Sequence, residues 1–305
     1  MTPIPPFTIV GVPIDSVGFS GPAPRGTERS PAVWRDAGLR ELGWPDVGDL
    51  PVRIEGNERD RATGIVGSDD VLRATDAIRA AIAERCAVGD RPLLLGGCCT
   101  VAPAALAGAR DALGPMGLVY VDGHLDLYDG ASSPTGEAAD MPVAVVLGDG
   151  PAAWRERLGP DTTAVPASVA LLGFRDEDEL GALGERLDRL RGEGLMAVSG
   201  PEIHAGAPAG IGAAALEHAT RASGRAWLHI DLDVLDEAVF PATDYLLPGG
   251  LDWAQLTALI APLVADERLV GWSIACYNPD KDADGSGARA SVEMIRAVSP
   301  ESATS

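Results

Sequence analysis

The chain has 305 residues, 46% of them hydrophobic, and a formal net charge of −21. That length suits one large α/β domain, and the acidic balance excludes nucleic acid as a partner, because its phosphates would be repelled by the surface as a whole. No apolar run reaches the ~18 to 20 residues that cross a bilayer, and residues 1–7 lack the basic and apolar regions of a signal peptide. The expectation is a cytoplasmic protein without a membrane partner. Its four cysteines, Cys86, Cys98, Cys99 and Cys276, are expected to stay reduced rather than to form a disulfide framework.

In chain order, short runs rich in Val, Ile and Leu fall at 7–12, 92–95, 117–121, 168–173, 194–198, 226–232 and 269–275. Their continuous apolar character predicts strands buried on both faces. Between them lie amphipathic segments, among them 70–86, 177–191 and 252–265, each long enough for a helix. This alternation predicts an α/β chain with a parallel sheet, residues 1–298 forming a single domain. The Gly-, Pro- and Ala-rich stretches 130–140 and 148–163 read as loops near a site, and the small polar tail 299–305 as disordered. In open parallel sheets ligands bind beyond the carboxyl ends of the strands, so motifs there carry most weight.

Two such motifs stand out. Asp122, His124 and Asp126 follow the run 117–121, and Asp231 and Asp233 close the run 226–232. With a period of two, each set points to one side of its strand. Carboxylates left at the ends of buried strands cost several kcal/mol each unless a cation compensates them. Four Asp and one His make an oxygen-rich set that favours Mn²⁺, one ion or two, with Zn²⁺, Fe²⁺ and Co²⁺ as alternatives. Asp residues capping a helix or turn would be the plain structural explanation for the first motif alone; two acidic strand ends in one chain argue against it.

With these motifs in place, the sequence resembles the arginase, agmatinase and formimidoylglutamase (ureohydrolase) superfamily nearly end to end. Residues 9–13, 24–26 and 31–35 look like its N-terminal strand, loop and first helix, and Gly96, Gly97, Cys98, Cys99 and Thr100 stand where it has GGDHS. Residues 173–178 resemble GLRDxD, residues 231–236 with Pro241 and Pro248 to Leu251 resemble SxDxDxxDPxxxPGxxxPxPGGL, and Asn278, Pro279 and Asp282 resemble the end of ExNPxxD. The resemblance implies a three-layer α/β/α fold with a central, mostly parallel sheet. It also implies two metal positions, Asp122 and Asp231 bridging, His124 and Asp233 completing one, and Asp126 with residue 99 the other. A small guanidino substrate, a homo-oligomer and urea-releasing amidinohydrolase activity follow from the same resemblance.

The departures are as informative. Cys99 replaces the metal-ligand histidine, so it binds the second metal as thiolate, leaves that site weak or empty, or shifts it toward zinc or iron; an inert buried thiol stands equally beside these. Cys98 and Cys276 replace acidic family residues, the latter near the expected guanidinium. Ala139 occupies the place of a proposed proton-shuttling histidine, which leaves Glu137, Asp178, Tyr128 or solvent for proton transfer. Tyr128, Thr135, Asp178, Tyr245 and Cys276 are the expected substrate contacts, and Asp126 and Glu137 the expected catalytic groups. Glu137 would repel a free α-carboxylate, which points away from ordinary L-arginine hydrolysis and toward specialised metabolism. Family members acting on hydroxylated arginine resemble this chain in carrying cysteine at the ligand position. A single-metal deacylase on the same fold and a non-catalytic metal-binding paralogue are the rival readings. His229, two residues before Asp231, is expected in the core or behind the ligands.

Overall fold

The structure is a computed structural model that describes residues 5–17, 26–160, 162–176 and 181–299. Eight strands form one sheet: β1 Phe7–Val12, β2 Asp46–Asp49, β3 Arg91–Gly96, β4 Gly117–Val121, β5 Val169–Leu172, β6 Met196–Val198, β7 Ala226–Asp231 and β8 Leu269–Ala275. Their order is β2-β1-β3-β8-β7-β4-β5-β6, and every neighbouring pair is parallel. The inner strands are buried along nearly their whole length, as the unbroken apolar runs require once helices cover both faces. Side chains alternate between the two layers: Leu118 and Tyr120 of β4 join one apolar cluster, Val119 and Val121 the other.

Helices α2 Ser68–Ala87, α3 Val101–Leu113, α4 Pro142–Val146, α5 Ala152–Leu158 and α6 Ala182–Gly192 pack on the first face. The opposite face carries α1 Ser30–Asp36, α7 Gly200–Ala205, α8 Pro208–Thr220, α9 Trp253–Val264 and α10 Ser286–Val298. The three-layer expectation holds. The α9 start is fixed by a capping box, in which the Asp252 carboxylate accepts from the Gln255 N–H at 2.7 Å and Gln255 accepts from the Asp252 N–H at 3.0 Å.

Two local readings need correction. Strand β2 was not expected, because Asp46–Asp49 is short, polar and largely exposed at the sheet edge; Arg35 of α1, itself buried, pins it through Asp46 and Asp49. The stretch 148–163, read as a loop, contains α5, whose Trp154 and Leu158 are buried against the core. The helix expected at 177–191 is present from Ala182 to Gly192, and residues 177–180 lie outside the described residues. Of the expected tail, only Ser299 lies within the described residues. Among the described residues no helix is long and apolar enough to cross a membrane.

Candidate metal centre

The four central strands, β3, β8, β7 and β4, end side by side, and each delivers a side chain to one cavity of about 270 Å³. Cys99 follows β3 and precedes α3; Asp122 follows β4; Asp231 closes β7; Cys276 follows β8. The close turn after β3 depends on Gly97, where a Cβ would collide with the Ile14 carbonyl. The Cys276 N–H then donates to the Gly97 carbonyl at 2.9 Å, tying the ends of β3 and β8 together.

Asp122, His124 and Asp233 each offer a ligand atom within 4.8 Å of the others. His124 Nδ1 lies 3.0 Å from Asp233 Oδ2 and 3.6 Å from Asp122 Oδ1. Backbone donors fix the carboxylates: the Gly123 N–H donates to Asp233 Oδ1 at 3.0 Å, and the Asp233 N–H to Asp231 Oδ1 at 2.9 Å. Arg175, from the GLRDxD-like segment, donates to the carbonyls of Asp233, Val234 and Leu247 at 2.9, 3.0 and 3.1 Å, and so clamps the loop after β7.

A second group, Cys99, Asp231 and Cys276, meets the same 4.8 Å criterion. Asp126 lines the cavity but belongs to neither group; its Oδ2 accepts a 2.5 Å hydrogen bond from the Tyr120 hydroxyl. Asp126 and Cys276 have φ of +49° and +63°, and among the described residues they are the only non-glycines with positive φ. Such left-handed backbone costs of order 1 kcal/mol or more and concentrates where function demands it.

Charge decides what the cavity can hold. Among the described residues seven aspartates line it, Asp122, Asp126, Asp140, Asp176, Asp231, Asp233 and Asp244, with His124 but no lysine or arginine. Burial, then repulsion from Asp233 and Asp231, pushes the Asp122 carboxyl well above the usual carboxylate range, and burial with Asp233 does the same to Asp231. For Asp126, burial and then Asp122 act in that direction. His124 pairs with Asp233: against burial, the charge of Asp233 holds the imidazole well above its ordinary value, while His124 keeps Asp233 below its own. Asp176 Oδ1 is buried without a hydrogen-bond partner. Crowded carboxylates and an orphaned carboxylate oxygen suit a cavity made for cations. The Asp122, His124 and Asp233 set fits a hard or borderline divalent ion.

The remaining expected residues divide. Tyr128, Thr135, Tyr245 and Cys276 line the cavity, whereas Asp178 lies outside the described residues. Glu137 does not line it: fully buried, it accepts a 2.6 Å hydrogen bond from the Tyr245 hydroxyl, and the Tyr245 ring meets His124 edge-on at 6.2 Å. Thr135 and Ser133 both donate to Asp140 Oδ2 at 2.6 Å. His229 is a buried core residue, stacked on Tyr120 at 4.7 Å and bonded through Nδ1 to Ser273 Oγ at 2.8 Å; burial pushes its imidazole down to about 3. Tyr120, Asp140, Asp176 and Asp244 were not singled out from the sequence. Tyr120 could have been, since it precedes Asp122 by two on the same strand.

The model of the Arginase family matches residues 5–299. An arginase from Brevibacillus brevis is 29% identical over 306 residues, covering 96% of this chain and 97% of the relative. The structure of arginase from Bacillus caldovelox superposes with a TM-score of 0.85 at 24% identity, covering 98% of this chain and 100% of the other. Proclavaminate amidino hydrolase from Streptomyces clavuligerus gives 0.70 at 20% identity, with coverage of 97% and 90%. The two structural likenesses are likenesses of fold.

Proposed function

The chain belongs to the Arginase family of metal-dependent hydrolases of the ureohydrolase type, and on that premise we propose that it cleaves a C–N bond in a guanidino or amidino small molecule other than L-arginine, releasing urea or a related product in specialised metabolism. The observation that carries this reading is the cavity itself, which among the described residues has seven aspartates and no lysine or arginine at its walls. A guanidinium meets complementary charge there, whereas a substrate α-carboxylate meets no basic side chain among the described residues. The Thr135 hydroxyl, which would otherwise serve such a carboxylate, donates its hydrogen bond to Asp140.

Asp122, His124, Asp233 and Asp231 would hold a divalent cation, Mn²⁺ by the hardness of the donors, with Zn²⁺, Fe²⁺ and Co²⁺ as alternatives. Such an ion supplies Lewis acidity and a water nucleophile at neutral pH. Asp126, held by Tyr120, orients the attacking water and accepts its proton. Asp140, aimed by Ser133 and Thr135 beside Ala139, grips the guanidinium as a carboxylate, and the proton that Asp126 accepts from water is the one it delivers to the leaving amine. Glu137 acts through Tyr245, fixing its ring against His124 so that the mouth of the cavity excludes water. Tyr128 and Tyr245 form the walls along which the rest of the substrate lies. Asp178 would approach the substrate amino group, as the resemblance implies. The enzyme works as a cytoplasmic homo-oligomer on this reading.

Urea release by the Mn²⁺-loaded protein across L-arginine, hydroxyarginine, agmatine and shorter guanidino acids tests the proposal. Turnover should be highest on a compound other than L-arginine and should vanish in Asp231→Ala. L-arginine as best substrate, or hydrolysis of acylamines with no guanidine turned over, would overturn it.

A further inference from the structure

We propose that Cys99, Cys276 and Asp231 form a thiolate cation site, so that the cavity takes two unlike metals: a manganese-like ion among Asp122, His124 and Asp233, and a zinc-like ion between the two sulfurs. The inference rests on reading the cavity as the metal-dependent hydrolytic centre and deepens it by naming the second ion.

Of the four cysteines, two reach the cavity. Cys86 packs into the core from α2, and Cys98 is fully buried with its sulfur 2.9 Å from Ser16 Oγ. Cys99 and Cys276 line the cavity from the ends of adjacent strands, β3 and β8. Their sulfurs and a carboxylate oxygen of Asp231 lie within 4.8 Å of one another. A tetrahedral zinc with Zn–S bonds of ~2.3 Å sets its sulfurs ~3.8 Å apart, so the group needs at most a small closure to grip the ion.

Cys276 also sits in left-handed backbone at φ +63°. A cysteine tolerates that conformation poorly, and here its N–H is bonded to the carbonyl of Gly97, two residues before Cys99. The strain holds the second sulfur at the cavity beside the first. Asp126, the competing oxygen donor at this end of the cavity, is engaged by the Tyr120 hydroxyl at 2.5 Å and stands outside the group.

Two thiolates and one carboxylate are a soft set, which selects zinc over manganese, while the neighbouring carboxylate and imidazole set does the reverse. On binding, both thiols lose their protons to solvent, including the one Cys99 donates to the Ala139 carbonyl at 3.3 Å. Two new metal–sulfur bonds replace two S–H bonds, with no change in oxidation state. Asp231, whose Oδ1 accepts from the Asp233 N–H at 2.9 Å, would be the donor shared between the two groups.

The test is anaerobic titration of the metal-free, full-length protein with Co²⁺, followed by absorption. The wild type should develop a near-ultraviolet thiolate-to-cobalt charge-transfer band that saturates at a single equivalent per chain. Zn²⁺ should abolish the band and Mn²⁺ should leave it. In Cys276→Ser the band should disappear while Mn²⁺ binding, followed by electron paramagnetic resonance, persists; in Asp233→Ala the pattern should reverse. Cobalt binding without the band in the wild type overturns the proposal without recourse to any variant, and so does a band that survives in folded Cys276→Ser. Neither readout involves turnover: a protein that shows the band but hydrolyses no guanidino compound keeps the thiolate site and loses the proposed function. One that hydrolyses without the band keeps the function and loses this site.

Discussion

Replacing Tyr120 by phenylalanine removes one atom from the centre and tests how Asp126 is held. The Tyr120 hydroxyl donates to Asp126 Oδ2 at 2.5 Å, and the ring is 1% exposed and stacked on His229. A hydrogen bond to a charged group contributes ~1.5 to 3 kcal/mol. At about 1.4 kcal/mol per factor of ten, its loss from the step proposed for Asp126, the orienting of water, corresponds to a fall in kcat of roughly 10- to 150-fold. KM should change little, because Tyr120 does not line the cavity. Stability should fall far less than the hydrogen bond alone suggests: the phenyl ring keeps its stack, and Asp126 borders the cavity, where water replaces the donor. Steady-state kinetics on the best guanidino substrate, Mn²⁺ titration and thermal unfolding separate these effects. A Phe variant with wild-type kcat would refute the positioning role; one that also loses Mn²⁺ binding would show that Tyr120 supports the whole centre.

Arg175→Lys should weaken Mn²⁺ binding by roughly 10- to 100-fold, as losses behind metal ligands commonly do, since one ammonium cannot span the carbonyls of Asp233, Val234 and Leu247. Wild-type affinity by calorimetric titration would contradict the clamp. Arg35→Leu should destabilise the chain by about 1 to 2 kcal/mol, less than the ~3 to 5 of a fully buried pair, because Asp46 and Asp49 are 28% and 38% exposed and can be rehydrated. The effect is pH-dependent. Burial pushes the Asp46 carboxyl up, but hydrogen bonds from Arg35 and Gly48 hold it below 3.8. A carboxylate depressed on folding stabilises above its unfolded value and loses that contribution as pH falls through the folded one. The wild type and the variant should therefore converge in acid below about pH 4, and urea unfolding that gives the same difference at neutral and acid pH would reject this account.

Much of the fold was legible because inner strands of a parallel sheet have nowhere to put polar side chains. The runs at 7–12, 117–121 and 269–275 became β1, β4 and β8 with the same bounds. Strand β2 escaped because an edge strand meets solvent, and Asp46–Asp49 has no apolar signal to offer. Helix α5 escaped because Gly148, Gly150, Pro151, Gly159 and Pro160 frame it so closely that composition alone reads as loop. At the centre, spacing along one strand was readable, so Asp122 with His124, and Asp231 with Asp233, stood out. Proximity between strand ends is set by sheet order, which no local pattern encodes. Cys276 was therefore expected beside the substrate, and its place next to Cys99 and Asp231 emerged only once β8 was seen between β3 and β7. Glu137, read as facing the substrate, lies behind Tyr245 because its loop turns it into the core.

The position of β8 also has a consequence in time. It is the last strand in sequence, yet it lies at the middle of the sheet. Until it inserts, β2-β1-β3 and β7-β4-β5-β6 are two partial sheets, each with an unpaired inner edge, and Cys99 has no fixed distance to Asp231. Pairings between segments this distant in sequence form slowly. A chain emerging from the ribosome can thus assemble the Asp122, His124 and Asp233 group from β4 and β7 alone, while the sulfur group waits for residue 276. If the cavity takes the two ions proposed above, their loading would be ordered, the Asp122, His124 and Asp233 group being complete first and the sulfur group only on closure of the sheet.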